Sequence, residues 1–173
     1  MSGSVLLDAT PLGSAHAVRG VGAATRGLVE GLRTLDPVRR PRLLLTSDQA
    51  DVPGFAAWRV RWPGWGLYRV PNPWPELRVE RSVRRIGPAL FHATQPALLP
   101  EGLPCVVTLY DLIPACFPGQ YLHGAGRALE ARAYRRWLRR LPEARLVLAI
   151  SCETADDAVR IAGVDPGRVR VVP

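Results

Sequence analysis

The sequence predicts an α/β domain built on a doubly wound, mainly parallel sheet with helices on both faces. Two observations carry this. Several strand-length runs are apolar throughout, the pattern of strands buried on both sides. Between them lie segments whose apolar residues recur every three or four positions, so strand and helix alternate and right-handed crossovers join the strands.

The elements follow in order. "SVLLDAT" (4–10) is the first strand, and a loop leads from it to a helix in "VGAATRGLVEGLRTLDP". Val21, Ala24, Leu28, Leu32 and Leu35 give that helix an apolar face, and Asp36-Pro37 ends it. "RLLLTS" (42–47) is a buried strand. In "AAWRVRWP", Trp58, Val60 and Trp62 alternate with Arg59 and Arg61, as in a half-exposed strand. Residues 63–75, dense in Gly and Pro, are expected to be irregular.

"ELRVERSVRRIG" is a helix with Val79, Val83 and Ile86 on one face and Gly87 as its stop. "PALFHAT" (88–94) is a strand, and Val106 to Tyr110 form the next, running directly into Asp111. Pro114 is expected to keep the following segment irregular. A long helix spans "GAGRALEARAYRRWLRRLPEA", with Leu129, Ala133, Trp137 and Leu141 as its inner stripe and Arg132, Arg135, Arg136 and Arg139 largely off it. "RLVLAIS" (145–151) is a strand, "CETADDAVRIAG" a helix stopped by Gly163, and "VDPGRVRVVP" a turn with a short final strand.

The 173 residues fit one domain, and the 47 % hydrophobic content suffices for a core. No run is long enough to span a membrane, and the first ten residues lack the features of a signal peptide. Three cysteines (105, 116, 152) form no CxxC pair, so no disulfide framework and no zinc or other metal site is expected. A reduced, cytoplasmic setting follows. The net charge of +8 comes from arginines alone, with no lysine. No helix-turn-helix, RNP or zinc-finger pattern accompanies it, so nucleic acid is not expected as a partner. An ordinary solvated surface and contact with an anionic membrane both remain open, the second through the helix around 127–140 and its Trp137.

Ligands of open α/β sheets bind beyond the carboxyl ends of the strands. Four runs deliver polar groups there: Asp8 and Thr10, His92 and Thr94, Tyr110 and Asp111, and Ser151. Each has a purely structural alternative. Asp111 suits a turn cap, His92 a satisfied strand-end histidine, Tyr110 a core position, and Ser151 a helix N-cap. Gly20 and Gly22 open the first helix, where free N–H groups favour phosphate. The dinucleotide fingerprint is not met. About ten residues separate Thr10 from Gly20, Thr25 holds the third glycine's place, and only Asp48 imitates a ribose-binding acid, so an NAD-binding domain is a remote alternative.

"RGVGAATRGLVEGL", "FHATQPALLP", "VVTLYDLIPACFP", "LVLAISCETADDAV" and "GVDPGRVRVVP" together resemble the N-terminal half of retaining GT-B glycosyltransferases, the "glycosyl transferases group 1" superfamily. The resemblance spans nearly the whole chain. It implies a Rossmann-like, acceptor-side domain over 1–173, facing a C-terminal domain that holds the nucleotide-sugar and lies outside this sequence. It implies transfer of a sugar to a saccharide or glycolipid hydroxyl with retention, as in polysaccharide assembly, without a further cofactor. On it, Asp111 and His92 are expected to orient or polarise the acceptor, and Gly20, Val21 and Gly22 to face the donor phosphates. Tyr110, Thr94, Arg19, His16 and Ser151 are expected to border the acceptor. Where the family often has His-Asp, this chain has Tyr110-Asp111, so no histidine role carries over to position 110. This half alone is expected to be inactive, working peripherally at the inner membrane face if at a membrane at all. A non-catalytic sugar- or membrane-binding module is the alternative.

Overall fold

The computed structural model describes residues 4–13, 20–61, 74–124 and 128–172. Seven strands form one sheet: β1 (Val5–Asp8), β2 (Arg42–Thr46), β3 (Ala57–Val60), β4 (Leu90–Ala93), β5 (Cys105–Leu109), β6 (Leu146–Ala149) and β7 (Val169–Val171). Their spatial order is β3-β2-β1-β4-β5-β6-β7, and every pairing is parallel. The chain builds outward from β1 to β3, then returns to lay β4 on β1's other edge. The order therefore reverses between β1 and β4, which makes that junction the topological switch point.

Among the described residues six α-helices accompany the strands: α1 (Gly20–Leu32), α2 (Trp74–Ile86), α3 (Ile113–Cys116), α4 (Pro118–Tyr121), α5 (Ala128–Arg140) and α6 (Cys152–Arg160). One face of the sheet carries α1, whose Val29, Leu28 and Leu32 close over Leu7, Ala9, Leu43 and Leu45. The opposite face holds the larger core, where Phe91, Val107, Leu109 and Val147 meet Val79 and Val83 of α2, Leu138 of α5 and Ala158 of α6.

Several local expectations are corrected. Ala24 and Leu35 are exposed, and α1 stops at Leu32; Gly22, Thr25 and Val29 are its buried residues instead. α2 begins at Trp74, inside the stretch expected to be irregular, while residues 62–73 lie outside the described set. Leu129 of α5 points outward, and the inner face is made by Ala131, Trp137 and Leu138. Trp137 meets Tyr134 edge-on at 4.5 Å and, half-buried, packs against the larger core. Pro114 does not prevent a helix. It occupies the first turn of α3, where its missing N–H has no partner to lose.

The carboxyl edge of β1 is pinned from β2. Gln49 accepts a hydrogen bond from Thr46 N and donates to the carbonyls of Ala9 and Thr10 at 3.1 and 3.3 Å. A Cβ at Gly13 would come within 2.4 Å of the Gln49 side chain, so this close approach requires glycine.

Candidate functional site

The switch point is organised by Asp8, the last residue of β1. Its side chain is fully buried, yet its partners are threonines rather than a cation. Oδ1 accepts from Thr10 N at 3.0 Å and from Thr10 Oγ1 at 2.7 Å. Oδ2 accepts from Thr94 Oγ1, just beyond β4, at 2.6 Å. Burial raises the Asp8 carboxyl above its ordinary value, and the threonine hydrogen bonds oppose that rise only in part. The acid is thus an acceptor that ties the exits of β1 and β4 together.

Tyr110 follows β5 directly and is half-buried. Burial raises its phenol pKa, and the Asp8 charge raises it further. The Tyr110 carbonyl accepts from Thr154 Oγ1 at 3.0 Å. Ser151 caps α6, with Oγ accepting from Thr154 N at 3.2 Å, so the N-cap alternative describes its structural role. Thr154 therefore joins the end of β5 to the start of α6.

Asp111 is exposed on the next loop position, where Oδ1 accepts from Ile113 N at 3.1 Å. This Asx turn steers the chain into α3 and holds the carboxylate at the sheet's carboxyl edge. Gly20 opens α1 with φ of +52°, a left-handed conformation that suits glycine. Val21 is half-buried, its carbonyl accepting from Thr25 Oγ1 at 2.7 Å, and Gly22 is buried. α1 packs against the 3-10 turn Thr10–Gly13 that leaves β1, so its N-terminus shares the carboxyl edge with Asp8. His16 and Arg19 lie outside the described residues.

His92 lies one residue before the end of β4, on the face of the sheet that carries α1. It sits within β4, in register with Leu7 and Val106, and its Nε2 lies 2.9 Å from Thr108 Oγ1. Phe91 and Ala93 enter the large core while Leu90 and His92 are half-buried on the other face. Burial lowers the His92 pKa to about 4, leaving a neutral imidazole at physiological pH. The structure thus joins Thr94 to Asp8, sets Tyr110, Asp111, Ser151 and the start of α1 along the same edge, and pairs His92 with Thr108 on the face that carries α1.

Sequence reasoning places Asp8 at the carboxyl edge but gives it no role, and leaves Thr154 out. The signal for Asp8 was present: an acid ending an apolar strand, the same feature that singled out Asp111. A hollow of about 470 Å³ lies further along the edge, between α1 and the loop after β2. Arg26, Arg33, Asp48 and Asp51 line it. Among the described residues no three His, Cys, Asp or Glu side chains are grouped so as to hold a metal ion.

Comparison with known proteins bears on this edge. A search of curated proteins finds no match. Among solved structures, sucrose-phosphate synthase from Thermosynechococcus elongatus superposes with a TM-score of 0.49 at 13 % identity, over 98 % of this chain and 87 % of that one. A variant of Os79 from O. sativa, crystallised with UDP, gives a TM-score of 0.51 at 14 % identity over 98 % of this chain. This chain covers 51 % of the Os79 chain, about half its length. At such identities the likeness concerns the fold. Residues 18–173 match the model of Glycosyltransferase Family 4. The chain belongs to that family, with the Rossmann-like fold of a GT-B enzyme's N-terminal half.

Proposed function

We propose that this chain is the acceptor-side half of a retaining glycosyltransferase that moves a sugar from a nucleotide-sugar to a hydroxyl of a saccharide or glycolipid, as in polysaccharide assembly. The observation that carries this reading is the convergence of Asp8, Thr94, Tyr110, Asp111 and the N-terminus of α1 on the switch-point edge of a Family 4 domain.

The roles follow from the chemistry. Transfer needs the acceptor hydroxyl held at the anomeric carbon and the leaving diphosphate stabilised as negative charge develops on it. The first turn of α1, from Gly20 through Gly22, has the backbone N–H groups that a helix does not use internally and the positive end of the helix dipole to offer that charge. Asp111 is the exposed carboxylate of the edge and suits hydrogen bonding to acceptor hydroxyls. Asp8 acts beneath them, fixing Thr10 and Thr94 so that the two exits keep one geometry. His92, engaged with Thr108, has no acceptor role in this reading. The nucleotide-sugar is a substrate, held mainly by the enzyme's own C-terminal domain. Three free cysteines fit a reduced cytoplasmic setting. Among the described residues no helix is long and apolar enough to cross a membrane.

The test has two arms. Ligand-detected NMR with a panel of mono- and oligosaccharides should show binding to this chain that weakens in Asp111→Ala; no binding to any saccharide would remove the acceptor assignment. Incubation of the chain alone with nucleotide-sugars and acceptor should give no product, and transfer by this half alone would overturn the division of labour.

A further inference from the structure

The hollow between α1 and the loop after β2 lies beside the transfer edge and has the make-up of a binding site of its own. Its volume of about 470 Å³ falls within the range of small-ligand pockets. Leu12, Val29 and Leu45 form an apolar floor. Glu30 and Arg33 of α1 stand on one side, and Asp48 and Asp51 of the loop on the other. Val29 and Arg33 are four residues apart and Glu30 and Arg33 three, so one side of α1 faces the hollow.

The walls are fixed before any ligand arrives. Arg59 of β3 donates to the carbonyls of Thr46 and Gln49 at 3.1 and 2.7 Å and pairs with Asp51 at 2.5 Å. Arg40 donates to Arg33 O and Leu35 O, just past α1, at 2.8 and 3.0 Å. The same guanidinium donates to Gly54 O of the loop at 3.0 Å and lies 5.7 Å from the Phe55 ring centre. One side chain thus ties both walls together. A loop braced in this way gives up little conformational freedom on binding. Three rim groups take no part in the bracing. The side chains of Glu30 and Arg33 make no hydrogen bond or ion pair among the described residues, and Asp48 makes no ion pair there.

The lining selects a class of ligand. Carboxylates accept, and a guanidinium donates, paired hydrogen bonds of the kind that neighbouring hydroxyls can complete. An apolar floor suits the C–H face of a sugar ring. Glu30, Asp48 and Asp51 outnumber Arg26 and Arg33, which disfavours a phosphate or an acidic sugar.

The hollow is also joined to the switch point. Gln49 lines it and donates to the carbonyls of Ala9 and Thr10 at 3.1 and 3.3 Å, and Thr10 in turn donates to Asp8. Leu12 and Gly13 belong to the 3-10 turn that leaves β1, so this turn borders both places. We infer that the hollow is a second saccharide subsite, which holds units of a neutral oligosaccharide acceptor behind the one that reacts at the edge. It rests on the glycosyl-transfer reading and narrows the acceptor to a chain of uncharged sugars.

The experiment is amide chemical-shift titration of this chain with the methyl glycosides of glucose, galactose, mannose and rhamnose, and with a linear pentasaccharide of each. The methyl glycosides report on the edge, and the pentasaccharides on the hollow. At least one pentasaccharide should bind at least about tenfold tighter than its methyl glycoside and move Glu30, Arg33 and Asp48 together with the edge. The combined variant Glu30→Gln, Arg33→Gln and Asp48→Asn should lose that gain and bind the methyl glycoside as the parent does. All three positions are exposed, unchanged circular-dichroism melts confirm folding, and the shift map of the parent is independent of the variant. A methyl glycoside that moves the edge, with a pentasaccharide that binds no tighter and leaves the hollow unmoved, overturns the subsite and spares the transfer reading. Equal loss of both affinities in the variant, or pentasaccharide shifts in the hollow with none at the edge, also overturns it. No response to any of these sugars overturns both.

Discussion

Thr94 Oγ1 donates to Asp8 Oδ2 at 2.6 Å across 86 residues of sequence, joining the exits of β1 and β4 where the strand order reverses. The bond lies between two buried side chains at the position where α/β sheets place their ligands. It is a structural tie and the floor of the candidate site at once.

Asp8→Ala removes the acceptor from three donors, Thr10 N, Thr10 Oγ1 and Thr94 Oγ1. Stranding buried donors should cost about 1–3 kcal/mol in chemical denaturation. Asp8→Asn behaves differently with pH. The folded state holds the Asp8 carboxyl above 3.8 and so prefers the protonated acid. That contribution is complete below 3.8 and is lost as pH rises through the folded value. The stability of Asp8→Asn relative to the parent should therefore increase from acid to neutral pH; a constant difference would contradict a buried titrating acid.

His92 gives the opposite sign. Its pKa falls from 6.5 to about 4, so the folded state prefers the neutral ring. Stability is full above about 6.5 and is lost as pH falls through 4, by at most about 3 kcal/mol. His92→Gln should flatten that part of the pH–stability curve, and activity at neutral pH should change less than in any edge variant.

Asp111→Ala gives up one exposed hydrogen bond to Ile113 N, so stability should fall by no more than about 1 kcal/mol. In the enzyme that contains this half, kcat/KM should nevertheless fall about a hundredfold or more if the carboxylate positions the acceptor. Retained turnover removes Asp111 from that role.

Ser151→Ala tests the converse. Loss of the cap to Thr154 N should cost about 1 kcal/mol. Saccharide binding should remain, since the hydroxyl is occupied within the protein; loss of binding at full stability would assign Ser151 to the site.

Much of this was legible in the sequence. Apolar runs located the sheet because strands covered by helices cannot hide polar residues among them. The polar ends of β1, β4, β5 and β6 marked the carboxyl edge. What the sequence did not reveal depended on contacts between distant segments. Asp8 reads as one more strand-ending acid until β4 is laid beside β1 and Thr94 reaches it. His92 reads as an edge residue from its place two positions before Thr94, but its ring is engaged by Thr108 of the neighbouring strand, a contact that appears only once β5 is laid beside β4. Leu129 fits an apolar stripe by spacing alone, but α5 rotates to bury Ala131 and Leu138. Pro114 was read as a breaker, although its place in a first turn makes it compatible with a helix.

The central claim is that the β1/β4 edge is where a saccharide sits. Amide chemical-shift mapping during titration with a bound saccharide tests it most directly. The account predicts perturbations gathered at Asp8–Thr10, Gly20–Gly22, Thr94 and Tyr110–Asp111, with Val106 and Thr108, set back inside β5, unmoved. Perturbations confined to the hollow between α1 and the 47–53 loop, or to His92 and Thr108, would contradict it.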